Sequence, residues 1–119
     1  MATINHFSFG LIVIDNKKYR RDIIIYPDGK VENRKGGIWM FGSHSIKRSE
    51  IESLIQDNPE IIIIGTGTNG IAKLATEAEN LVKERKINLT LLPSHTAVDD
   101  FNNLTAQGKK IASLIHITC

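Results

Sequence analysis

Two kinds of residue in this 119-residue chain could do chemistry: glycines that bring main-chain amides close to an anion, and serine–histidine pairs that could move a proton. The glycines lie in "IIIIGTGTNG", residues 61 to 70, where Gly65, Gly67 and Gly70 are spaced as G-x-G-x-x-G. A loop of this kind at the end of a buried strand lets N–H groups approach a phosphate, aided by the positive end of a following helix. Three features oppose a dinucleotide site. The acidic residue expected ~20 positions on is missing from "LTLLPSH". Thr76-Glu77-Ala78-Glu79 reads as a capping box, which starts the next helix away from Gly70. The loop also follows a late strand rather than the first strand of a mononucleotide-binding half. No lysine follows Gly70, so a P-loop is not indicated either. The glycines predict a strand exit that lines a pocket.

The serine–histidine pairs are "SHS" (43 to 45) and "SHT" (94 to 96), each in a loop leading to a helix. A Ser–His nucleophile needs the hydroxyl within reach of the ring and a carboxylate to orient the base. Sequence neighbours rarely face each other that way, but Ser94 could pair with His44 across space, with Asp99 or Asp100 as the acid. Ser94 is better explained as a helix N-cap. His116 lies in a nearly apolar stretch and reads as a hydrogen-bonded core histidine. One cysteine and four scattered histidines show no metal-ligand spacing, so no metal and no cofactor is expected.

These residues need elements to position them. "INHFSFGLIVI", "YRRDIIIY" and "KVENRK" predict three antiparallel strands, turning at Asp15-Asn16 and Pro27-Asp28-Gly29. Residues 36 to 47 read as a long loop whose Trp39, Met40 and Phe41 form a cluster of the kind that usually tucks into the core and less often forms a partner surface. Ser49 to Glu52 predicts a capping box for a helix bearing Ile51, Leu54 and Ile55, stopped by Asn58-Pro59. Ile61 to Ile64 is apolar on both faces, as a covered strand requires. A helix from about Thr76, a strand over 87 to 92, a helix capped by Ser94 and closed by Gly108, and a final strand "KIASLIHITC" complete the order. Residues 70 to 75 are expected as a turn or a frayed first segment of the Thr76 helix. The result is an α/β fold of three layers: a mixed central sheet flanked by helices, with an additional antiparallel N-terminal β portion.

Length fits one domain over residues 1 to 119. The longest apolar run falls far short of the ~20 residues a membrane helix needs, and the N-terminus has no signal pattern. A single cysteine, Cys119, excludes an internal disulfide and suits a reducing, cytoplasmic setting. Net charge is +2, but residues 17 to 48 carry +6 and the remainder −4. With no nucleic-acid-binding motif beside it, the basic stretch reads as a solvated face.

Together, "IIIIGTGTNG", "LPSHTAVDDFNNL" and the ending "LIHITC" resemble the Mth938 domain family, a domain of unknown function found in archaea, bacteria and mitochondria. The shared pattern is an apolar strand into G-T-G, then Ser94, Ala97, Phe101, Asn102 and Leu104, with serine where threonine is more frequent. The resemblance implies a three-layer α/β fold. It supplies no catalytic mechanism; relatives linked to assembly of respiratory complex I imply a binding or assembly module. The expected site has amides from Gly65, Thr66, Gly67, Asn69 and Gly70, with Ser94, His95 and His44 at its lip. Its expected occupant is a small anionic ligand or a protein partner, without turnover; the alternative is a hydrolase or nucleotide-dependent enzyme using the same residues. A homodimer would follow from an exposed strand edge or an exposed Trp39 loop.

Overall fold

A computed structural model describes residues 2–39 and 41–119. Its strands and helices run β1 (Ile4–Ser8), β2 (Leu11–Ile14), β3 (Lys17–Tyr19), β4 (Ile23–Ile25), β5 (Val31–Asn33), β6 (Ser45–Ile46), α1 (Arg48–Ile55), β7 (Ile61–Thr66), β8 (Lys73–Leu74), α2 (Thr76–Glu84), β9 (Leu89–Leu92), α3 (Ser94–Ala106) and β10 (Ile111–His116). The central sheet has the order β5-β4-β10-β7-β9. β10 pairs in parallel with β7, and β7 with β9, while β4 and β5 join antiparallel. The fold is therefore the expected α/β arrangement with a mixed sheet between helices and an antiparallel N-terminal β region.

The isoleucine run explains the layers. Alternate side chains of a strand point to opposite faces. Ile63 enters one core with Phe7, Ile12, Ile14, Ala97, Val98 and Phe101, from the N-terminal sheet and α3. Ile62 and Ile64 enter the other with Ile51, Leu54, Ala78 and Leu81, from α1 and α2. β10 divides in the same way, Ile111 and Ile115 to one side, Ala112 and Leu114 to the other. Asn102 of α3 clamps the N-terminal sheet: its amide donates to the Ile4 carbonyl at 2.8 Å and its oxygen accepts the Ile4 N–H at 2.9 Å.

Several local expectations change. Residues 4 to 35 form five strands in two sheets, not three. Gly10, at φ 76°, turns β1 into β2, and its N–H donates to the Ile117 carbonyl. "YRRDIIIY" is divided: β3 stays with the N-terminal sheet and β4 crosses to β10. Lys47, not Ser49, caps α1, and the Glu50 carboxylate returns to the Lys47 N–H at 3.1 Å. α2 begins at Thr76, but Ala75 holds the cap position without a side-chain bond. Residues 73 and 74 form β8, paired in parallel with β6. Ser94 is not the cap of α3; Pro93 is, and Ser94 is the first helical residue. The loop 36 to 43 does not tuck in: Ile38, Trp39 and Phe41 are 82%, 72% and 46% exposed. Met40 lies outside the described residues.

Candidate functional site

The glycine loop leaves β7 where β10 ends, and its amides are engaged within the chain. Gly67 N–H donates to Ser94 Oγ at 2.8 Å, Thr68 N–H to the Thr118 carbonyl at 2.7 Å, and Asn69 N–H to the Cys119 main-chain oxygen at 3.0 Å. Gly70 N–H reaches the Gly67 carbonyl at 3.3 Å. Gly67 has φ 103°, and a Cβ there would collide with the Cys119 main chain. A Cβ on Gly65 would press on Ser94 Oγ at 2.8 Å. The loop's glycines thus admit close passage of the last strand and the start of α3. The Thr66 hydroxyl donates to the Leu92 carbonyl at 3.0 Å.

The expected histidines and Ser94 do not share one pocket. Ser94 is fully buried; its hydroxyl donates to the His116 carbonyl at 2.6 Å while accepting Gly67 N–H. Both roles of a nucleophilic hydroxyl are therefore occupied, and no hydrogen bond among the described residues joins Ser94 to His44. His95 is exposed and packs edge-on against Phe7, with ring centroids 4.7 Å apart. His44 is exposed and stands edge-on over His116, at 5.2 Å and 88°. No group of three or more His, Cys, Asp or Glu among the described residues could hold a metal ion.

Beneath His44 lies an ionic relay that sequence reasoning missed. Arg34, counted among the residues of a solvated basic face, is buried. Its Nε and Nη2 fork onto Glu50 at 2.6 and 3.0 Å, and its Nη1 donates to Asp22 Oδ2 at 2.8 Å. The same guanidinium donates to the carbonyls of Ser43 and Ser45 at 2.7 and 2.9 Å. Burial works against its charge, but Glu50 and then Asp22 outweigh this and hold the Arg34 pKa above its ordinary value. Asp22 Oδ1 accepts Ile117 N–H at 2.9 Å, and Oδ2 also meets His116 Nδ1 at 2.8 Å. His116 Nε2 faces the Thr118 hydroxyl at 3.4 Å. An aspartate orienting a histidine is half of a proton-transfer triad. Here His116 and Thr118 are both fully buried, which leaves no access for a substrate.

The relay positions what lies above it. Arg34 holds the carbonyls of residues 43 and 45, and Gly42 crosses so close to Asp22 that a Cβ there would collide with the carboxylate. Between Gly37 and Gly42 the chain makes a small hairpin. Ile38 N–H donates to the Phe41 carbonyl at 2.8 Å, and Phe41 N–H returns to the Ile38 carbonyl at 2.9 Å. Trp39 sits at φ 54°, the left-handed region that bulky residues avoid. The hairpin borders an open cleft of about 610 Å³ lined by Ile38, Phe41, His44, Lys47 and Cys119, with Gly36, Gly37, Gly42 and Ser43 as its backbone wall. No Asp or Glu lines it among the described residues. A second cleft, about 550 Å³, opens beside the glycine loop between Thr66, Gly70, Lys73, Glu79, Leu91 and Pro93.

Residues 4–116 match the family model described as a protein of unknown function, DUF498/DUF598. The chain belongs to this family, that of Mth938-like domains. A conserved hypothetical protein from Pyrococcus horikoshii OT3 is 30% identical; the match covers 98% of this chain and 99% of that one, with a TM-score of 0.83. A solved structure named MT938 is 28% identical over the whole of both chains, with a TM-score of 0.82. The Mth938-like domain of a Bordetella pertussis protein is 16% identical, over 97% of this chain and 85% of that one, and with a TM-score of 0.71 shares the fold. The family pattern has physical roles here. Ser94 ties the G-T-G loop to β10, Ala97 and Phe101 fill the core, and Asn102 clamps β1.

Proposed function

We propose that this Mth938-like protein is a non-enzymatic binding module that captures an acidic segment of a partner protein on the face formed by the hairpin at Trp39, His44 and Lys47. The observation that carries this reading is the hairpin itself. Three large apolar side chains face solvent, one in a strained backbone conformation, above a buried, ion-paired relay. Exposed aromatic anchors on a fixed support are the usual centre of a protein interface. Lys47 lines the cleft beside the hairpin and is exposed, which suits a negatively charged segment. The lone cysteine fits work in a reducing cytoplasm. No helix among the described residues is long and apolar enough to cross a membrane.

The test is a photoactivatable residue in place of Trp39, with Lys83 on α2 as the control position. A protein crosslinked at 39 alone is purified and titrated against the unmodified chain. Binding that weakens about tenfold or more in Trp39→Ala and in Lys47→Glu supports the reading. Equal capture at both positions, or affinity untouched by both substitutions, refutes it.

A second reading concerns the cleft beside the glycine loop, where Thr66, Gly70 and the exposed Lys73 gather at the carboxyl ends of β7 and β9, the usual ligand end of parallel strands. A small anionic ligand there would rest on Lys73, because the loop amides and the Thr66 hydroxyl proton are already engaged. Thermal unfolding against phosphate, carboxylates and nucleotides tests it. A ligand at a hundredfold its Kd adds about 2.7 kcal/mol, a shift of roughly 10 °C. No shift with any of them removes this reading and leaves the hairpin face intact.

A further inference from the structure

We infer that the free edge of the central sheet, β9, is covered by β9 of a second copy of this chain, paired antiparallel about a twofold axis at Thr90. The two edges of the sheet differ. β5 carries Glu32, which pairs with Lys30 at 3.2 Å and accepts the Tyr26 hydroxyl at 3.1 Å. A charged, short edge is how sheets avoid pairing with other chains. β9, at four residues, is also short, but its sequence Leu-Thr-Leu-Leu has no charge, proline or bulge, and Leu91 is 44% exposed.

The direction of its main chain is fixed by three bonds. The Asn88 carbonyl accepts Ile62 N–H at 2.8 Å, the Leu92 carbonyl accepts the Thr66 hydroxyl at 3.0 Å, and Ser94 N–H donates to the Gly67 carbonyl at 3.0 Å. Residues 88, 92 and 94 therefore face β7. Main-chain groups alternate along a strand, so those of Leu89 and Leu91 face outward, away from the sheet. Pro93 would be next in that row and has no N–H to leave unpaired.

An antiparallel partner centred on Thr90 places Leu89 of each copy opposite Leu91 of the other. Both residues then exchange N–H and C=O bonds, and each exposed Leu91 gains an apolar neighbour on the same face. The two Thr90 side chains meet on the axis. Identical faces do not repel: the rim holds Lys73 together with the Glu79–Lys83 pair, at 3.1 Å, so both signs are present. A twofold contact of one strand with itself closes and does not propagate. Leu91 also walls the cleft beside the glycine loop, so a second copy would narrow that cleft. The inference does not depend on the hairpin face.

The test is sedimentation equilibrium of the whole chain over roughly 1 to 200 μM, the range in which an interface of modest size dissociates. The mass is expected to rise from 13.3 kDa toward twice that value. Leu91→Lys, with an unchanged circular dichroism spectrum, is expected to weaken association about tenfold or more. Hydrogen exchange supplies a readout specific to the pairing: the Leu89 and Leu91 amides should be protected at high concentration and exchange freely at low. A mass of 13.3 kDa throughout overturns the inference. So does a dimer that ignores Leu91→Lys, or one lost in Trp39→Ser, which would move the contact to the hairpin.

Discussion

Replacing Arg34 with methionine tests whether the relay supports the hairpin. Methionine keeps most of the volume and removes the guanidinium, with its bonds to Asp22, Glu50, Ser43 and Ser45. Glu50 is part-exposed and can turn to water. Asp22 cannot: its side chain is 1% exposed, and it would keep only His116 and the Ile117 N–H. Removing one partner of a buried ion pair typically costs about 3–5 kcal/mol. For 119 residues the unfolding entropy is about 0.25 kcal/mol/K, so Tm should fall by roughly 12–20 °C. Total stability of such a chain is on the order of 6–18 kcal/mol, so the variant should still fold in the cold.

The double variant with Asp22→Asn separates charge from packing. Once Arg34 is gone, neutralising Asp22 should recover about 1–3 kcal/mol, seen as non-additivity in a double-mutant cycle from urea unfolding. A local consequence should accompany the global one. Trp39 is the only tryptophan, so its acrylamide quenching and emission report on the hairpin. Amides of residues 38 to 45 should exchange faster in Arg34→Met than in a core variant of equal stability, such as a truncated Leu54. A loss below about 1 kcal/mol, or no non-additivity, would refute the electrostatic account. Unchanged exchange at 38 to 45 would refute the claim that the relay holds the hairpin.

Three further outcomes follow from the same geometry. Trp39→Asn should raise stability by about 0.5–1 kcal/mol in urea unfolding, because asparagine tolerates the left-handed region and little buried area is lost; a destabilised variant would mean the indole packs on its neighbours. Gly67→Ala should cost about 2–3 kcal/mol or more in the same assay, from positive φ and collision with Cys119, whereas a near-neutral result would mean the last strand is free to shift. Burial, and then the hydrogen bond and charge of Glu32, raise the Tyr26 phenol above its ordinary value of 10.0, so the folded state holds that proton more tightly than the unfolded chain. The stability this gives is complete below pH 10 and lost as pH rises through the folded pKa; ultraviolet titration should show the Tyr26 transition moving down in Glu32→Gln, and no movement would exclude Glu32 as a cause.

The layers were legible because apolar periodicity records how many faces an element buries. Four isoleucines in a row, bounded by Pro59 and Gly65, suit a strand covered on both sides, and the stripe of α3 marks its core face. The N-terminal strands were harder. Gly10 supplies a turn inside "FSFGLIVI", but a lone glycine in an apolar run looks much like an interruption. Division of "YRRDIIIY" depends on Asp22 being drawn to His116, 94 positions later, and a long-range partner leaves no local periodicity. Caps were misplaced for a related reason. Ser49 and Ser94 have the right residue type, but Glu50 is also needed by Arg34, and the Ser94 hydroxyl bridges Gly67 and His116. Arg34 itself was hidden among exposed neighbours of the same charge. The one visible hint was an acid directly before three isoleucines, a position where an unpaired carboxylate would be costly.

The same competition for partners explains why the residues that looked chemical face inward. A G-x-G-x-x-G loop binds phosphate only if its amides are unoccupied, and in this chain Thr118 and Cys119, just after the last strand, and Ser94 occupy several of them. A Ser–His pair needs a free hydroxyl, and Ser94 has none. Those glycines and that serine solve a packing problem: a central strand, its neighbour's exit loop and a helix start all converge at one end of the sheet. What this convergence leaves outside is the loop above the buried ion pairs. A relay of Glu50, Arg34, Asp22 and His116 fixes a short loop, and the loop carries exposed apolar side chains that contribute nothing visible to the core. An isolated exposed tryptophan needs no explanation, but one held at φ 54° between Gly37 and Gly42 costs stability. A partner covering the indole would offset that cost, which makes the hairpin, and not the glycine loop, the first place to test the proposed binding.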